Sequence, residues 1–491
     1  MKHLLSLIIS VVICLLSVAE SAAQTRSVQE RISAINARVK GRVEGYRSQM
    51  ERRYHQVIGQ PWRHAEGESP VQNPLDKPLP PADYDPARDE VEGQVMMNSS
   101  VLQNDGGRVE VADDEKIVRE DKDGLNDRII VIPCNGYEVS LRVPAVAMPH
   151  LNGTSEKDIS TVWEQMYAVP FDNLFHDLAK IREALKMGDW SFVRTVEAVS
   201  EVICTSSADA VLFQAYVLND FGFMMCLARS ADGMIYKMLS TDMDVIGYPL
   251  YHIDGHDYYL FADSSIKDIH FVNLSLSGER PMRMAMNPDE KFYPEYAAAK
   301  TYASDRYPEV VVSVRPDESR MAYYESYPLY FSGGDVLTSF YHHAVQPMSE
   351  SVCSSVYPVL RRAIEGKSEV DAVNILLNFV QTAFRYGYDD VVWGKERYFY
   401  ADEIWGYEFS DCEDRSMLLS RLVKDLLGLE VALVYWPGHL SCAVRFNTAV
   451  AGAAFLADGK TYVSCDPTFI GAGVGAVMPD VKGKDAVLIK L

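Results

Sequence analysis

The sequence has no excess of positive charge, no closely spaced cysteine pair and, after its first residues, no long apolar run. Its 47 Lys and Arg residues stand against 69 Asp and Glu residues, which gives a formal net charge of -22. Nucleic acids and anionic lipids bind clustered Lys and Arg side chains, so this balance argues against nucleic acid as a partner. Without a CxxC pair there is no sequence sign of a zinc site, and neither metal nor cofactor is predicted.

The start of the chain has the order of a secretory signal. A basic start precedes an apolar run from Leu4 to Val18, and Ser21, Ala22 and Ala23 follow as small residues. This order predicts a signal peptide over residues 1–23, cleaved before Gln24. No later stretch approaches the roughly 18 apolar residues of a spanning helix, so the mature chain is expected to be exported without a transmembrane segment.

The cysteines do not form a recognisable disulfide framework. Removal of Cys14 with the signal leaves seven, and they are scattered along the chain. Because seven is odd, at least one thiol stays unpaired within the chain. A reactive cysteine is therefore worth seeking.

The N-terminal half predicts several separate segments. Residues 24–62 carry apolar side chains at helical spacing, with Arg on the other faces, and predict an amphipathic helix. That helix, over 25–58, can dock on the acidic body of the protein itself, on a partner or on a membrane surface. Residues 63–92 are rich in Pro and acid and predict an extended linker, and residues 93–150 predict a small β unit.

Helical patterns follow at 156–167, 173–186 and 190–203 within a lobe spanning 151–280, and a connecting region is expected over 281–345. The segment 346–491 then predicts a complete domain. A helix begins at Ser368 and runs to Tyr386, and a second helix ends at Gly428, a residue suited to a left-handed cap. Strands are expected over 430–436, 439–446 and 460–466.

Cys412 lies at the predicted start of the second helix, in the run FSDCEDRS. A thiol attacks as thiolate, and its ordinary pKa of about 8.5 must fall for activity near neutrality. The helix N-terminus favours negative charge, but the neighbouring acids oppose it, so a histidine is needed. His439 opens the next-but-one strand and Asp466 ends the following one, an order that predicts nucleophile, base and orienting carboxylate.

Side-chain alternation separates the other nearby cysteines from this set. Cys442 and Cys465 fall on the strand faces opposite His439 and Asp466. They are expected to be neighbours, as buried thiols or as a cross-strand disulfide. For the oxyanion hole, the Cys412 N–H needs a second donor, and Trp393, Trp405 and Tyr407 are the candidates in the upstream loop.

These motifs resemble the transglutaminase-like superfamily. The resemblance rests on DCEDRS before an amphipathic helix, then PGHLSCAV, then YVSCDPT, and covers about Ser368 to Val477. It implies a core in which a cysteine-bearing helix packs on an antiparallel sheet, within an α+β fold. It implies Cys412, His439 and Asp466 as a papain-like triad acting on amides. The whole layout also resembles secreted transglutaminase-like proteins of Gram-negative bacteria, which implies the periplasm or cell surface.

The lobe at 151–280 has features of a degenerate copy of this core. An offset of 206 aligns Gly222 with Gly428 and places Ser206 on Cys412 and Gly233 on His439. The few identities leave duplication and chance alignment both open. A true copy would lack thiol and base.

The sequence therefore favours a secreted cysteine-dependent hydrolase or acyltransferase acting on amide bonds of peptides or proteins. Peptidase or amidase activity is favoured over cross-linking, because water is always present as acceptor. The alternative is a non-catalytic binding or scaffold protein of the cell envelope that keeps the fold.

Overall fold

The computed structural model of the chain describes residues 57–75, 108–109, 127–262, 265–275 and 279–491. Within these residues the protein combines helices with several antiparallel sheets, so the α+β class is confirmed at that level. The signal segment 1–23, most of the helix 24–62 and most of the linker 63–92 lie outside the described residues. No helix in the described part is both long and apolar enough to cross a bilayer.

The described strands and helices are numbered in chain order. The strands are β1 (Arg63–Glu66), β2 (Arg108–Val109), β3 (Asp127–Cys134), β4 (Tyr137–Pro144), β5 (Met225–Ser230), β6 (Ile235–Ser240), β7 (Asp244–Val245), β8 (Leu250–Ile253), β9 (His256–Tyr259), β10 (Asp268–Asn273), β11 (Lys300–Ala303), β12 (Val311–Val314), β13 (Tyr330–Phe331), β14 (Arg385–Tyr386), β15 (Phe409–Ser410), β16 (Glu430–Trp436), β17 (His439–Arg445), β18 (Ala454–Ala457), β19 (Lys460–Cys465) and β20 (Val487–Lys490). The helices are α1 (Glu156–Ala168), α2 (Asp172–Ala184), α3 (Asp189–Ile203), α4 (Ser207–Asp220), α5 (Glu318–Ser326), α6 (Thr338–Ala344), α7 (Glu350–Ile364), α8 (Glu369–Ala383), α9 (Asp389–Val392) and α10 (Cys412–Leu427).

The chain divides into two compact units. The described part of the first is residues 57–62 with 151–168, and its helix α1 buries Ile159, Trp163 and Met166. The second holds the described residues of 63–150 and 169–491. All of the predicted site residues belong to this second unit.

The C-terminal sheet of the second unit supports α10. Its strands follow the order β18-β19-β17-β16-β20, each antiparallel to its neighbours. Leu440 and Cys442 share one apolar cluster with Cys412 and Leu418 of α10. Because side chains alternate along a strand, β17 sends its other side chains to the opposite face of the sheet.

The helix α10 begins and ends where the sequence predicts. Gly428 has φ +66° and takes the left-handed conformation that ends the helix. The preceding helix α8 begins after Ser368, whose side chain accepts a hydrogen bond from the Asp371 N–H. It ends at Ala383 instead of the predicted Tyr386, because β14 leaves the helix to pair in parallel with β15.

The upstream sheet has a closely related strand order. Its strands run β1-β10-β5-β6-β9-β8, so β8-β9-β6-β5-β10 matches β18-β19-β17-β16-β20 in both order and chain sequence. The helix before each hairpin, α4 or α10, packs on it. Ser206 caps α4 and Gly233 lies in the β5–β6 turn, so these two aligned positions carry neither thiol nor base. Duplication of the C-terminal core would require this shared strand order. That the upstream lobe is a duplicate stays a prediction.

Two segments that were predicted as connecting or linking regions contain strands, helices or buried residues of the second unit. Residues 281–345 contain β11 to β13, α5 and α6, and Tyr302, Val312 and Phe340 lie in the same apolar core as α10. In the predicted linker 63–92, residues 63–66 instead form β1, paired with β10, and Leu75 is fully buried. The reason is apolar burial: isolated apolar and aromatic side chains in these stretches pack into a core that the local sequence does not reveal.

Candidate active site

Cys412 is the first residue of α10, and the local sequence explains why the helix begins there. Asp411 precedes it as the N-cap residue, with its N–H donating to Oδ2 of Asp414 at 3.2 Å. The N–H groups of a first helical turn have no partner within the helix, so the Cys412 N–H is available for another acceptor. The Cys412 side chain is fully buried in this form.

The sulfur of Cys412 contacts an acid, not an imidazole. Sγ donates to Oε2 of Glu413 at 3.0 Å. Burial, followed by the charge of Asp411, raises the pKa of the Cys412 thiol well above its ordinary value. The hydrogen bond with Glu413 and the N–H of Leu440 act in the opposite direction but do not outweigh these effects. In this form Cys412 is therefore a protonated thiol.

His439 and Asp466 are joined as the sequence predicts. Nε2 of His439 lies 2.9 Å from Oδ2 of Asp466, and both side chains are buried. The other carboxylate oxygen of Asp466 accepts from the Thr468 N–H at 2.9 Å and the Thr468 hydroxyl at 2.8 Å. Burial alone raises the pKa of Asp466, but the charge and hydrogen bonds of His439 and Thr468 lower it below its ordinary value. Asp466 is thus held as a carboxylate.

The free nitrogen of the imidazole is Nδ1. It has no hydrogen-bond partner among the described residues. The ring of His439 stacks on Trp436, with centroids 5.7 Å apart and planes inclined by 23°. Trp436 belongs to the apolar cluster on the sheet face away from α10. The Leu440 N–H beside Cys412 belongs to the residue directly after His439, so the backbone of the predicted base adjoins the sulfur.

The structure thus joins His439 and Asp466 directly and brings the sulfur of Cys412 to the backbone of Leu440 on β17. Among the described residues, no hydrogen bond links Cys412 to His439. The predicted neighbours Cys442 and Cys465 lie opposite each other on β17 and β19. Both are buried free thiols.

Gln381 and Arg415 hold the elements of the site together. The Gln381 side-chain amide donates to the carbonyls of Asp466 at 3.0 Å, Phe469 at 2.8 Å and Ala472 at 3.1 Å. The buried guanidinium of Arg415, on α10, donates to the Gln381 carbonyl at 3.2 Å. One residue of α8 therefore connects the cysteine helix with the loop that carries Asp466. Sequence patterns did not single out either residue.

The three predicted oxyanion donors lie away from the sulfur's direct contacts. Trp405 is buried in the core, 5.2 Å from Tyr302 and 5.5 Å from Phe384 between ring centroids. Trp393 and Tyr407 flank Arg397, whose guanidinium carbon is 5.3 Å from each ring centroid. Among the described residues, no ring contact or hydrogen bond joins these three to Cys412.

Tyr386 is an aromatic donor near the start of α10 that the sequence analysis missed. Tyr386 lies on β14 and pairs with Ser410 of β15, two residues before Cys412. Burial, followed by the charges of Cys412 and Asp411, raises the pKa of the Tyr386 phenol, so it stays protonated and able to donate. The signal was hidden because the apolar pattern of α8 continues through Tyr386.

An unusual group of acids adjoins the same helix end. Oxygens of Asp389, Glu396, Asp411 and Glu413 lie within 4.8 Å of one another and form a set that could hold a metal ion. Burial and the neighbouring carboxylates raise the pKa values of Asp389, Asp411 and Glu413 well above their ordinary range.

Comparison with known proteins does not assign the chain to a family. No protein-family model, no curated protein and no solved structure matches it.

Proposed function

We propose that the protein is a cysteine-dependent hydrolase or acyltransferase acting on amide bonds of peptides or proteins, with a transglutaminase-like core. The observation that carries the proposal is the bond between His439 Nε2 and Asp466 Oδ2, which leaves Nδ1 as the free basic nitrogen. The strand that bears this histidine also places the Leu440 N–H at the sulfur of Cys412.

The proposed reaction follows from these groups. Nδ1 of His439 takes the thiol proton of Cys412, and the sulfur attacks the amide carbonyl to form a C–S bond. Negative charge then develops on the carbonyl oxygen, where the Cys412 N–H and the Tyr386 hydroxyl are the candidate donors. The imidazolium returns the proton to the leaving amine as the C–N bond breaks. Water, which gives a proton to Nδ1 of His439, then attacks the thioester carbonyl. The C–S bond breaks, the acid is released, and the proton passes from Nδ1 back to the sulfur of Cys412.

The described form corresponds to a closed resting state in this proposal. Cys412 and His439 are both 0% exposed, so a substrate reaches them only after a covering segment moves. While the site is closed, the thiol is held by Glu413 and kept protonated by burial and Asp411. Opening would admit water and relieve the burial that disfavours the thiolate.

The same observations favour a second candidate, a non-catalytic binding or scaffold protein. The Cys412 thiol is buried and hydrogen-bonded to Glu413, and His439 stacks on Trp436 on the other sheet face. A protein that only kept the fold would need neither a mobile cover nor a reactive thiol.

Labelling of the folded full chain with an alkyne-bearing iodoacetamide, followed by peptide mass spectrometry, separates the two. The catalytic proposal expects Cys412 to react much faster than Cys442, a matched control that is equally buried in the same core. It expects Cys412→Ala to remove amide cleavage of a peptide library, and Cys442→Ala to keep it. A Cys412 that stays unlabelled in the folded protein, together with cleavage unchanged in Cys412→Ala, would refute the proposal.

The fate of the acyl group needs a separate measurement. Hydrolysis and transamidation share the thioester and differ in whether water or an amine attacks it. Incubation with a labelled primary amine and a glutamine-containing peptide distinguishes them. We expect acid product in excess; predominant amine incorporation would reassign the protein to cross-linking.

A further inference from the structure

A cleft of about 710 Å³ lies beside β3, and it shares no lining residue with the Cys412 site. Four consecutive residues of the strand, Val131 to Cys134, line this cleft. Because side chains alternate between the two faces of a strand, a cleft that meets consecutive residues borders the strand's edge. Residues of α3 and α5 form the other walls. We name this feature, bounded by residues 131–138, α3, Glu295 and α5, the edge cleft.

The edge of β3 beside the cleft has unpaired backbone groups. Among the described strands, β3 pairs with β4 alone. The two-residue turn Asn135–Gly136 makes Cys134 and Tyr137 a hydrogen-bonded pair, and such pairs alternate along antiparallel strands. The N–H and C=O groups of Ile129 and Val131 therefore point away from β4. An extended peptide can add to such an edge as a further strand.

The side chains on this edge are apolar and exposed. Ile129 is 69% exposed and Val131 is 45% exposed. Soluble proteins usually protect an edge strand with charged side chains, proline or a covering segment. In β3, Arg128 and Pro133 lie at either side of an apolar stretch that has no charge of its own. A peptide paired with Ile129 and Val131 would cover that stretch.

The edge cleft is acidic. Its lining holds five carboxylates and one guanidinium. The carboxylates belong to Glu138, Glu197, Glu201, Glu295 and Glu318. The guanidinium is that of Arg194, and it pairs with Glu197. The other four acids form no ion pair with a described residue, so the cleft favours a positively charged ligand.

Two further features of the edge cleft indicate a ligand. Burial, followed by the charges of Glu318 and Asp317, raises the pKa of the Glu295 carboxyl. A Lys or Arg side chain between Glu295 and Glu318 would relieve this repulsion. Ser191 also lines the cleft and is only 3% exposed. Its hydroxyl approaches the Tyr323 phenol but completes no hydrogen bond with a described residue, so it is available to a bound ligand.

The position of α3 determines which side chains a bound peptide needs. Sγ of Cys134 lies 3.3 Å from Oγ1 of Thr195, so α3 packs against the buried face of β3. Alternate side chains of an added strand would point toward the acids of α3, and those between them would lie beside Ile129 and Val131. We propose that the edge cleft binds an extended peptide with alternating basic and apolar side chains, which adds to β3 as a strand.

Fluorescence anisotropy of a labelled hexapeptide of alternating lysine and valine, titrated with the full chain, tests the edge cleft. We expect Glu201→Gln combined with Glu318→Gln to weaken binding about tenfold or more, because two unpaired carboxylates are lost. The matched control is Glu183→Gln combined with Glu365→Gln, which removes the same charge from exposed positions outside the cleft. Cys412→Ala is expected to bind normally, so this proposal and the catalytic one can fail separately.

N-methylation of the peptide tests the strand pairing itself. In an added strand only alternate N–H groups face β3, so methylation of one alternate set should abolish binding and methylation of the other should be tolerated. Loss on methylation of the valines would indicate antiparallel addition, and loss on methylation of the lysines parallel addition.

Three results would overturn the peptide site. One is absence of binding at millimolar peptide by the folded chain. Another is equal weakening by the two pairs of Glu→Gln changes, which would assign the attraction to the acidic surface as a whole. The third is an equal effect of the two methylated peptides, which would show that the peptide does not pair with β3.

Discussion

Nε2 of His439 lies 2.9 Å from Oδ2 of Asp466. The other carboxylate oxygen of Asp466 accepts hydrogen bonds from the N–H and the hydroxyl of Thr468. This arrangement fixes which nitrogen carries the proton. The carboxylate accepts from Nε2–H, so the tautomer with a basic Nδ1 is favoured.

Asp466→Asn is expected to reverse that tautomer. The amide oxygen would stay with the two donors of Thr468, which leaves the NH₂ group facing Nε2. Nε2 must then accept, and Nδ1 carries the proton and cannot act as base. We expect peptide cleavage to fall by about 10³–10⁴-fold, as for the corresponding change in a serine protease triad. Rates of cleavage and of Cys412 alkylation measure this, with exposed Asp480→Asn as control; wild-type rates in Asp466→Asn would contradict it.

Tyr386→Phe tests the proposed oxyanion donor. The change removes the hydroxyl of Tyr386, a residue that pairs with Ser410 two residues before Cys412, and leaves the ring that lies under Arg415, with the guanidinium carbon 5.3 Å from its centroid. We expect kcat to fall by about 10²–10³-fold with little change in KM. Steady-state kinetics on a cleaved peptide provide the measurement. Tyr388→Phe, whose ring contacts Tyr386 edge to face, is the control, and an equal loss in both variants would speak against a specific donor.

His343 predicts a pH-dependent part of the stability. Burial lowers its pKa from 6.5 to about 3, and its ring stacks on Tyr400 with centroids 4.1 Å apart. As pH falls, His343 takes up a proton in the unfolded chain at a higher pH than in the folded protein. The contribution of neutral His343 to the free energy of unfolding is therefore complete above pH 6.5 and is lost as pH falls toward 3. At about two pH units below the unfolded pKa, the loss is about 2.7 kcal/mol.

Urea unfolding at pH 7 and at about pH 4.5 measures this loss in wild type and in His343→Gln. The advantage of wild type over the variant should shrink at the lower pH. Exposed His256→Gln serves as control. An advantage that stays constant with pH would rule out His343 as the group responsible.

Gly428→Ala tests the end of α10. At φ +66° an added Cβ meets no atom within 4 Å, so the cost comes from the backbone alone. We expect the free energy of unfolding to fall by about 1 kcal/mol. Gly428→Asn should lose less, since Asn tolerates the left-handed region better. Urea unfolding of both variants checks the order, and equal stability of Gly428→Ala and wild type would show that the cap is not strained.

The sequence located the elements of the C-terminal sheet well because their signals are local. Ser368 and Gly428 mark helix ends through capping, and β16 lies at the predicted residues 430–436. Tyr386 was misread because its apolar side chain fits the period of α8 although its backbone belongs to a strand pair. The periodicity of apolar residues within one segment cannot show that Tyr386 pairs with Ser410, 24 residues further along the chain.

The candidate site was predictable in its residue types but not in its electrostatics. The order of Cys412, His439 and Asp466 predicted that neighbouring strands bring the three residues together, and the structure joins His439 to Asp466. The sequence marked the acids beside Cys412 as unfavourable for a thiolate, yet their complete burial and the arrival of Asp389 from another segment are tertiary facts. A fully buried thiol held by Glu413 could not be read from the spacing.

Gln381 has a mechanical consequence for any opening of the site. Its carbonyl accepts from Arg415 of the cysteine helix, and its side chain holds the carbonyls of Asp466, Phe469 and Ala472. A motion that keeps these bonds must carry the start of α10 and the Asp466 loop as one rigid part. Exposure of Cys412 would then come from displacement of whatever covers this part, and the distance between the Cys412 thiol and the Asp466 carboxylate would stay unchanged.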